Sequence, residues 1–121
     1  DTLRACGLSY QKANYVKNIA QAVDSGLLHI HDFNTMSDAD VSAELIQIKG
    51  IGQWTTEMFL IFTLAREDIF SAGDLGLRNG IKKLYGLTSV SPAEATKMAI
   101  KWAPYRSTAS RILWKTLDNN R

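Results

Sequence analysis

The chain has one cysteine, Cys6. That excludes an internal disulfide and any metal cluster built on four thiolates, and makes a reducing compartment the default expectation. Histidine is scarce as well: His29 and His31 alternate with Leu28 and Ile30. Two imidazoles without a nearby thiolate make a poor metal site, so this stretch is expected to be a solvent-facing connector. No apolar run approaches the roughly 20 residues that a membrane-spanning helix needs, and no basic segment followed by an apolar one suggests a signal peptide. Strand-like alternation is never sustained, and neither an internal repeat nor a low-complexity segment is present. An initiator methionine is also lacking. The chain enters a periodic pattern directly after Asp1-Thr2-Leu3-Arg4, which is expected of a C-terminal fragment of a longer protein. Its 121 residues amount to one domain's worth of chain, with a modest core.

The net charge of +2 hides an uneven distribution. Residues 1–74 carry 5 Lys/Arg against 10 Asp/Glu, whereas residues 75–121 carry 9 against 2. A basic C-terminal half could face a polyanion, although charge alone favours the plainer reading of solvated helix faces.

Six helices are expected. The first runs from Gln11 to Val23, with Ala13, Val16, Ile19, Ala20 and Val23 at helical spacing, Ser9 as cap and Gly26 past its end. Leu27 to Thr35 reads as irregular. A short helix follows Ser37, with Asp38 and Asp40 in its first turn where the helix dipole favours acids. The next spans about Gln53 to Ala65, with Met58, Phe59, Ile61 and Phe62 expected in the core. After a loop over 66–73, Asp74 opens a helix to Tyr85, stopped by Gly86. Ser91-Pro92-Ala93-Glu94 is a capping box with proline at the first helical position, opening a helix to about Trp102. Pro104 opens the last, through Leu117.

The segment Ile48-Lys49-Gly50-Ile51-Gly52-Gln53-Trp54-Thr55-Thr56 joins two of these helices. Two glycines one residue apart write a sharp helix–helix turn, because glycine tolerates positive φ and close backbone approach. The outward-pointing amides of the following helix start suit an anion such as phosphate. Asp74 stands twenty residues beyond Trp54.

Hairpin, spaced aspartate and the later Trp102-Ala103-Pro104-Tyr105-Arg106-Ser107 segment with Trp114 together resemble the helix-hairpin-helix DNA glycosylase superfamily. Within it, the chain is similar to the alkylation-repair branch, the 3-methyladenine DNA glycosylase II type, from about Leu3 to Leu117. The resemblance implies an all-α, helix-hairpin-helix glycosylase-like helical bundle over residues 1–121, lacking its N-terminal part. It implies excision of alkylated purines such as 3-methyladenine from double-stranded DNA, by base flipping and hydrolysis of the N-glycosidic bond in base excision repair. The expected setting is intracellular, nuclear in a eukaryote or cytoplasmic in a prokaryote, for a monomer with no membrane partner. The iron–sulfur branch of the superfamily is excluded by the single cysteine.

Site roles follow from the same resemblance. The hairpin Lys49, Gly50, Ile51, Gly52, Gln53, Trp54 and Thr55 would hold a DNA phosphate, with Lys49 standing where proline is usual. Main-chain carbonyls of Ile46, Ile48 and Ile51 would hold a structural monovalent cation, Na or K, and no other cofactor is implied. Asp74 would be the catalytic carboxylate, stabilising positive charge on the sugar and orienting or deprotonating water. Taken alone, an aspartate before a helix is more often only an N-cap. Trp54 occupies the position of the lysine that forms a Schiff base in bifunctional members, which implies a glycosylase without lyase activity. Trp54 and Trp114 would be aromatic walls for a cationic base, worth roughly 1–2 kcal/mol of cation–π energy when desolvated, although both could instead be core indoles. Trp102 reads as core. The intercalating residue, in the family, lies N-terminal to this segment. The alternatives are a non-catalytic helix-hairpin-helix module that clamps duplex DNA, and a small helical interaction domain.

Overall fold

The computed structural model describes residues 2–7 and 9–118, and these form helices, turns and loops without a strand. The chain divides into two compact units, Asp1–Thr56 and Glu57–Arg121. No described helix is long and apolar enough to cross a membrane.

The first unit contains α1 (Thr2–Ala5), α2 (Tyr10–Asp24), α3 (Asp38–Ile46) and the start of α4 (Gln53–Met58). Hydroxyl caps set two of these starts: Ser9 Oγ accepts from the Lys12 N–H at 3.1 Å and Ser37 Oγ from the Asp40 N–H at 3.1 Å. Each satisfies a donor that has no partner inside its own helix. The short α1 was not expected. Nor is the stretch after α2 irregular throughout, because Ile30–Thr35 forms a 3-10 turn around Phe33, which is buried. Phe33, Ala13, Ala22, Leu28, Val41, Leu45 and Ile48 are the unit's buried apolar residues. The expected stripe on α2 is only partly covered: Ala13 is buried while Val16 and Val23 remain exposed. His29 and His31 are exposed as expected, but His29 Nδ1 pairs with Glu44 Oε1 on α3. The carboxylate raises the imidazole's pKa, first through that hydrogen bond and then through its charge.

The second unit holds the end of α4, a π-helical turn at Phe59–Thr63, α5 (Leu75–Tyr85), α6 (Pro92–Ala99), a 3-10 turn at Ile100–Trp102 and α7 (Arg106–Asp118). The helix expected over 53–65 is thus not regular. In the π turn the Leu64 N–H reaches the Phe59 carbonyl at 3.1 Å, and past its end, after Ala65 at φ +53°, the Arg66 N–H closes on the Leu60 carbonyl at 2.8 Å. An extra residue per turn rotates the face that follows. Leu60 and Ile61 are buried, whereas Phe62, expected in the core, is 56% exposed. Helix α5 buries Leu77, Gly80 and Ile81 on one stripe against Val90, Ala95 and Leu113. Each large aliphatic side chain so buried contributes about 1.5–3 kcal/mol. A methyl group at Gly80 would lie 3.1 Å from both Cβ and the carbonyl of Leu113, so the glycine permits the close α5–α7 crossing. Gly86 ends α5 in the left-handed region at φ +66°. The capping box is formed as expected, with Ser91 Oγ accepting from the Glu94 N–H and Glu94 Oε1 from the Ser91 N–H, both at 3.1 Å. Trp102 packs against the core, tilted on Phe70 at 5.9 Å between ring centroids.

Candidate functional site

The hairpin turn lies in the first unit, between α3 and α4. Its two glycines serve different ends. Gly50 has φ +99°, and a Cβ there would fall inside the Tyr15 ring of α2, so both backbone conformation and space require glycine. Gly52 has neither constraint, since a Cβ there would meet nothing within 4 Å. The expected positive φ is therefore found at Gly50 and not at Gly52, and what comes close at Gly50 is the Tyr15 side chain rather than another backbone. Gly52 instead sits at the start of α4, where its carbonyl accepts from the Thr56 N–H at 3.1 Å and from Thr56 Oγ1 at 2.9 Å. The turn is fastened to α2 by Asn18 Nδ2, which donates to the Lys49 carbonyl at 2.9 Å. The side chains of Lys49, Gln53, Trp54 and Thr55 are exposed, that of Trp54 at 53%, while Ile51 is half-buried. Among the carbonyl-bearing residues, Ile48 is buried and Ile46 exposed, and the Ile48 carbonyl accepts from the Ile51 N–H at 3.0 Å.

Asp74 lies in the second unit as the N-cap of α5, with extended backbone at φ −74°, ψ 119°. Its Oδ2 accepts from the Leu77 N–H at 2.9 Å and from Trp114 Nε1 on α7, also at 2.9 Å. The cap is therefore real, and the same oxygen is gripped by a side chain 40 residues away in sequence. Trp114 is half-buried and stacks on Phe62, with centroids 5.5 Å apart and planes at 25°. Arg111 places its guanidinium 5.0 Å from the Phe62 ring centre and donates from Nη2 to the Ile61 carbonyl at 3.0 Å.

The loop that delivers Asp74 is tied along its length to the start of α7. Asp68 receives Arg106 in a bidentate pair, Nε to Oδ1 at 2.7 Å and Nη2 to Oδ2 at 2.9 Å, and its Oδ1 also accepts the Arg106 N–H at 3.2 Å. The guanidinium holds the Asp68 carboxyl below the usual carboxylate range, and the carboxylate raises the guanidinium in turn. Buried Ser107 donates from Oγ to the Arg66 carbonyl at 2.6 Å and accepts from the Ile69 N–H at 2.9 Å. The Ser107 N–H meets the Glu67 carbonyl at 2.9 Å. Buried Ser71 donates to Glu57 Oε1 at 2.6 Å, and its carbonyl accepts the Asp74 N–H at 3.0 Å. Helix α7 begins at Arg106 rather than at the expected Pro104, and Asp68 takes up the Arg106 N–H, which has no partner inside the helix.

Asp74 and Trp114 are thus brought together, as the sequence did not indicate. Asp68 and Phe62 were not expected to contribute, and Arg106 and Ser107 had carried a resemblance without a role. Arginine and serine opening a helix after an acid-containing loop are a signal for such a clamp, although only the fold supplies the pairing.

The family model for the HhH-GPD superfamily of base excision DNA repair proteins matches residues 1–104. DNA-3-methyladenine glycosylase 1 of Schizosaccharomyces pombe is 42% identical over 122 aligned residues, covering 96% of this chain and 52% of that protein. The structure of the S. pombe 3-methyladenine DNA glycosylase in complex with abasic DNA superposes with a TM-score of 0.84 at 41% identity, over 93% of this chain and 55% of that one. A DNA-3-methyladenine glycosidase from Bacillus halodurans gives 0.82 at 39% identity, over 93% and 52%. The chain spans about half the length of these relatives.

Proposed function

From its membership of the HhH-GPD superfamily of base excision DNA repair proteins, to which this chain belongs, we propose that the protein carrying it is a DNA glycosylase. It hydrolyses the N-glycosidic bond of alkylated purines such as 3-methyladenine in duplex DNA. The observation that carries this reading is Asp74, a carboxylate fixed at the N-terminus of an eleven-residue helix by two N–H donors on one oxygen. A binding module needs only the hairpin, and in it the same group would serve as a helix cap alone.

The chemistry follows from what breaks. Cleavage of the bond between base and sugar leaves the electron pair on the departing base and builds positive charge on the sugar. Alkylation makes the base a better leaving group because it already carries positive charge. A carboxylate held in place beside the sugar stabilises the developing cation without reorganising as it forms. It also orients or deprotonates the water that completes hydrolysis. Trp54 stands where a Schiff-base lysine would be required, so strand cleavage is not part of the reaction. Its exposed indole offers a face to an electron-poor, cationic base.

The hairpin supplies the sequence-independent part of binding. Amide N–H groups at Gly50, Gly52 and Trp54 donate to one phosphate, and Lys49 adds a charge next to it. Affinity then falls steeply with salt as counterions are released. Neutral main-chain oxygens of Ile46, Ile48 and Ile51 are the donor type a monovalent cation takes. The Ile48 carbonyl retains one lone pair beyond its bond to the Ile51 N–H. A bound cation would brace the turn, and no chemical step passes through it.

The test is release of methylated purine from alkylated duplex by the longest natural chain containing this segment, with strand integrity followed in the same reaction. Base release without nicking is the expected result. Retention on duplex without release would favour the binding module, and nicking would contradict the role given to Trp54.

A further inference from the structure

We propose that Trp114 is a positioning residue that acts through Asp74, and that Gly76 is the gap in which the two side chains meet. The inference rests on the glycosylase reading and assigns Trp114 a task other than stacking on the base.

Three observations converge. Trp114 Nε1 donates to Asp74 Oδ2 at 2.9 Å, the oxygen that also caps α5. An indole N–H is a donor only, so its direction is fixed once the ring is fixed. The ring is in fact held: it stacks on Phe62 at 5.5 Å and packs against the Leu77–Leu113 core. Finally, a Cβ built at Gly76 would lie 3.1 Å from Asp74 Oδ2 and 3.2 Å from both Cδ1 and Nε1 of Trp114. Any side chain at that position would press on the hydrogen bond from both sides. Gly76, in the first turn of α5, has no positive φ to explain it. Its absent side chain is accounted for by the pair it accommodates.

A cap alone restrains one carboxylate oxygen along a single direction. The indole adds a second donor from a different helix, which fixes rotation of the carboxylate plane relative to α5. A group that must face a cation forming at one sugar carbon benefits directly from that restraint.

The test uses the full-length protein and single-turnover release from alkylated duplex at saturating enzyme, with affinity for abasic-site duplex measured separately. Trp114→Phe keeps an aromatic ring for Phe62 and removes the N–H donor together with part of the ring area. We expect it to lower the rate constant about ten- to a hundredfold, as loss of a hydrogen bond to a charged group would. Affinity for abasic-site duplex should stay within about twofold, because phosphate contacts are untouched. Gly76→Ala should slow release several-fold, again with affinity retained. A merely structural role would lower the melting temperature without changing the rate constant of saturated, folded enzyme. If Trp114→Phe releases base at the wild-type rate and only Trp114→Ala is slow, the indole is a stacking wall and the inference is overturned. If the wild type itself releases nothing, the glycosylase reading fails and this one with it, so the two failures are distinguishable.

Discussion

Residues 47–52 and residues 64–74 are both connections between helices, and they are held in place by different means. The hairpin is shaped by backbone. One glycine at φ +99° turns the chain and one asparagine fastens a carbonyl, and the proposed phosphate contacts come from the amides at the start of α4. The Asp74 loop is shaped by side chains: Arg106, Ser107 and Ser71 anchor it, and Trp114 and the Leu77 amide aim its carboxylate. A site made of amides tolerates most side-chain changes but not a change at its turning glycine. A site made of one carboxylate depends on every group that orients it. Binding and chemistry are therefore expected to fail under different substitutions.

The largest effect on stability should come from Gly50→Ala. An L-residue in that conformation costs about 1–2 kcal/mol before any collision, and the Tyr15 ring occupies the space. Thermal unfolding should show a loss of about 2 kcal/mol or more, and Gly50→Ala together with Tyr15→Ala should recover part of it. Gly50→Ala with unchanged stability would mean that the turn is held by other means.

Arg106→Ala should cost about 1–2 kcal/mol, since the bidentate pair with Asp68 is only partly exposed and the lost bonds are charge-assisted. The pH dependence has a definite sign. Asp68 titrates below its unfolded value, so the pair's contribution is complete above that value and is lost as pH falls through the folded one. Stability curves of wild type and Arg106→Ala should converge in acid. Parallel curves would remove the pair from the account.

Gly52→Ala should change stability by less than about 0.5 kcal/mol, as open positions away from special backbone do, yet weaken duplex affinity by crowding the amides. Equal loss at both glycines would erase the distinction drawn between them. The smallest effect concerns His29. Its pKa is raised by Glu44, so the pair stabilises the first unit fully below the unfolded histidine value and ceases to do so as pH rises through the folded one. His29→Gln should abolish that weak dependence in amide exchange of α3.

The capped helix starts were the most legible part of the sequence. Ser9, Ser37, Asp74 and Ser91 all cap through side-chain oxygens, because a cap is a local interaction whose partner lies three residues away. The π turn was not legible, since Phe59 to Thr63 has ordinary helix formers and only tertiary packing selects the wider hydrogen bonds. For that reason Phe62 left the core and met Trp114. At the candidate site the sequence indicated Asp74 and its local cap on Leu77, yet the second donor to its carboxylate, Trp114, came from α7, and pairings 38 to 40 residues apart, such as Asp68–Arg106 and Asp74–Trp114, leave no periodic trace. Gly76 was invisible for the same reason, its meaning lying in what it leaves room for.

The most direct measurement pairs duplex affinity with single-turnover base release in wild-type protein and Asp74→Asn. The asparagine keeps the size and the cap but removes the charge. The account expects near-wild-type affinity and a loss in release of about a hundredfold or more, as removal of a fixed charge-stabilising group gives. Equal release by the two proteins would make Asp74 a helix cap and nothing else, and would place the chemistry elsewhere.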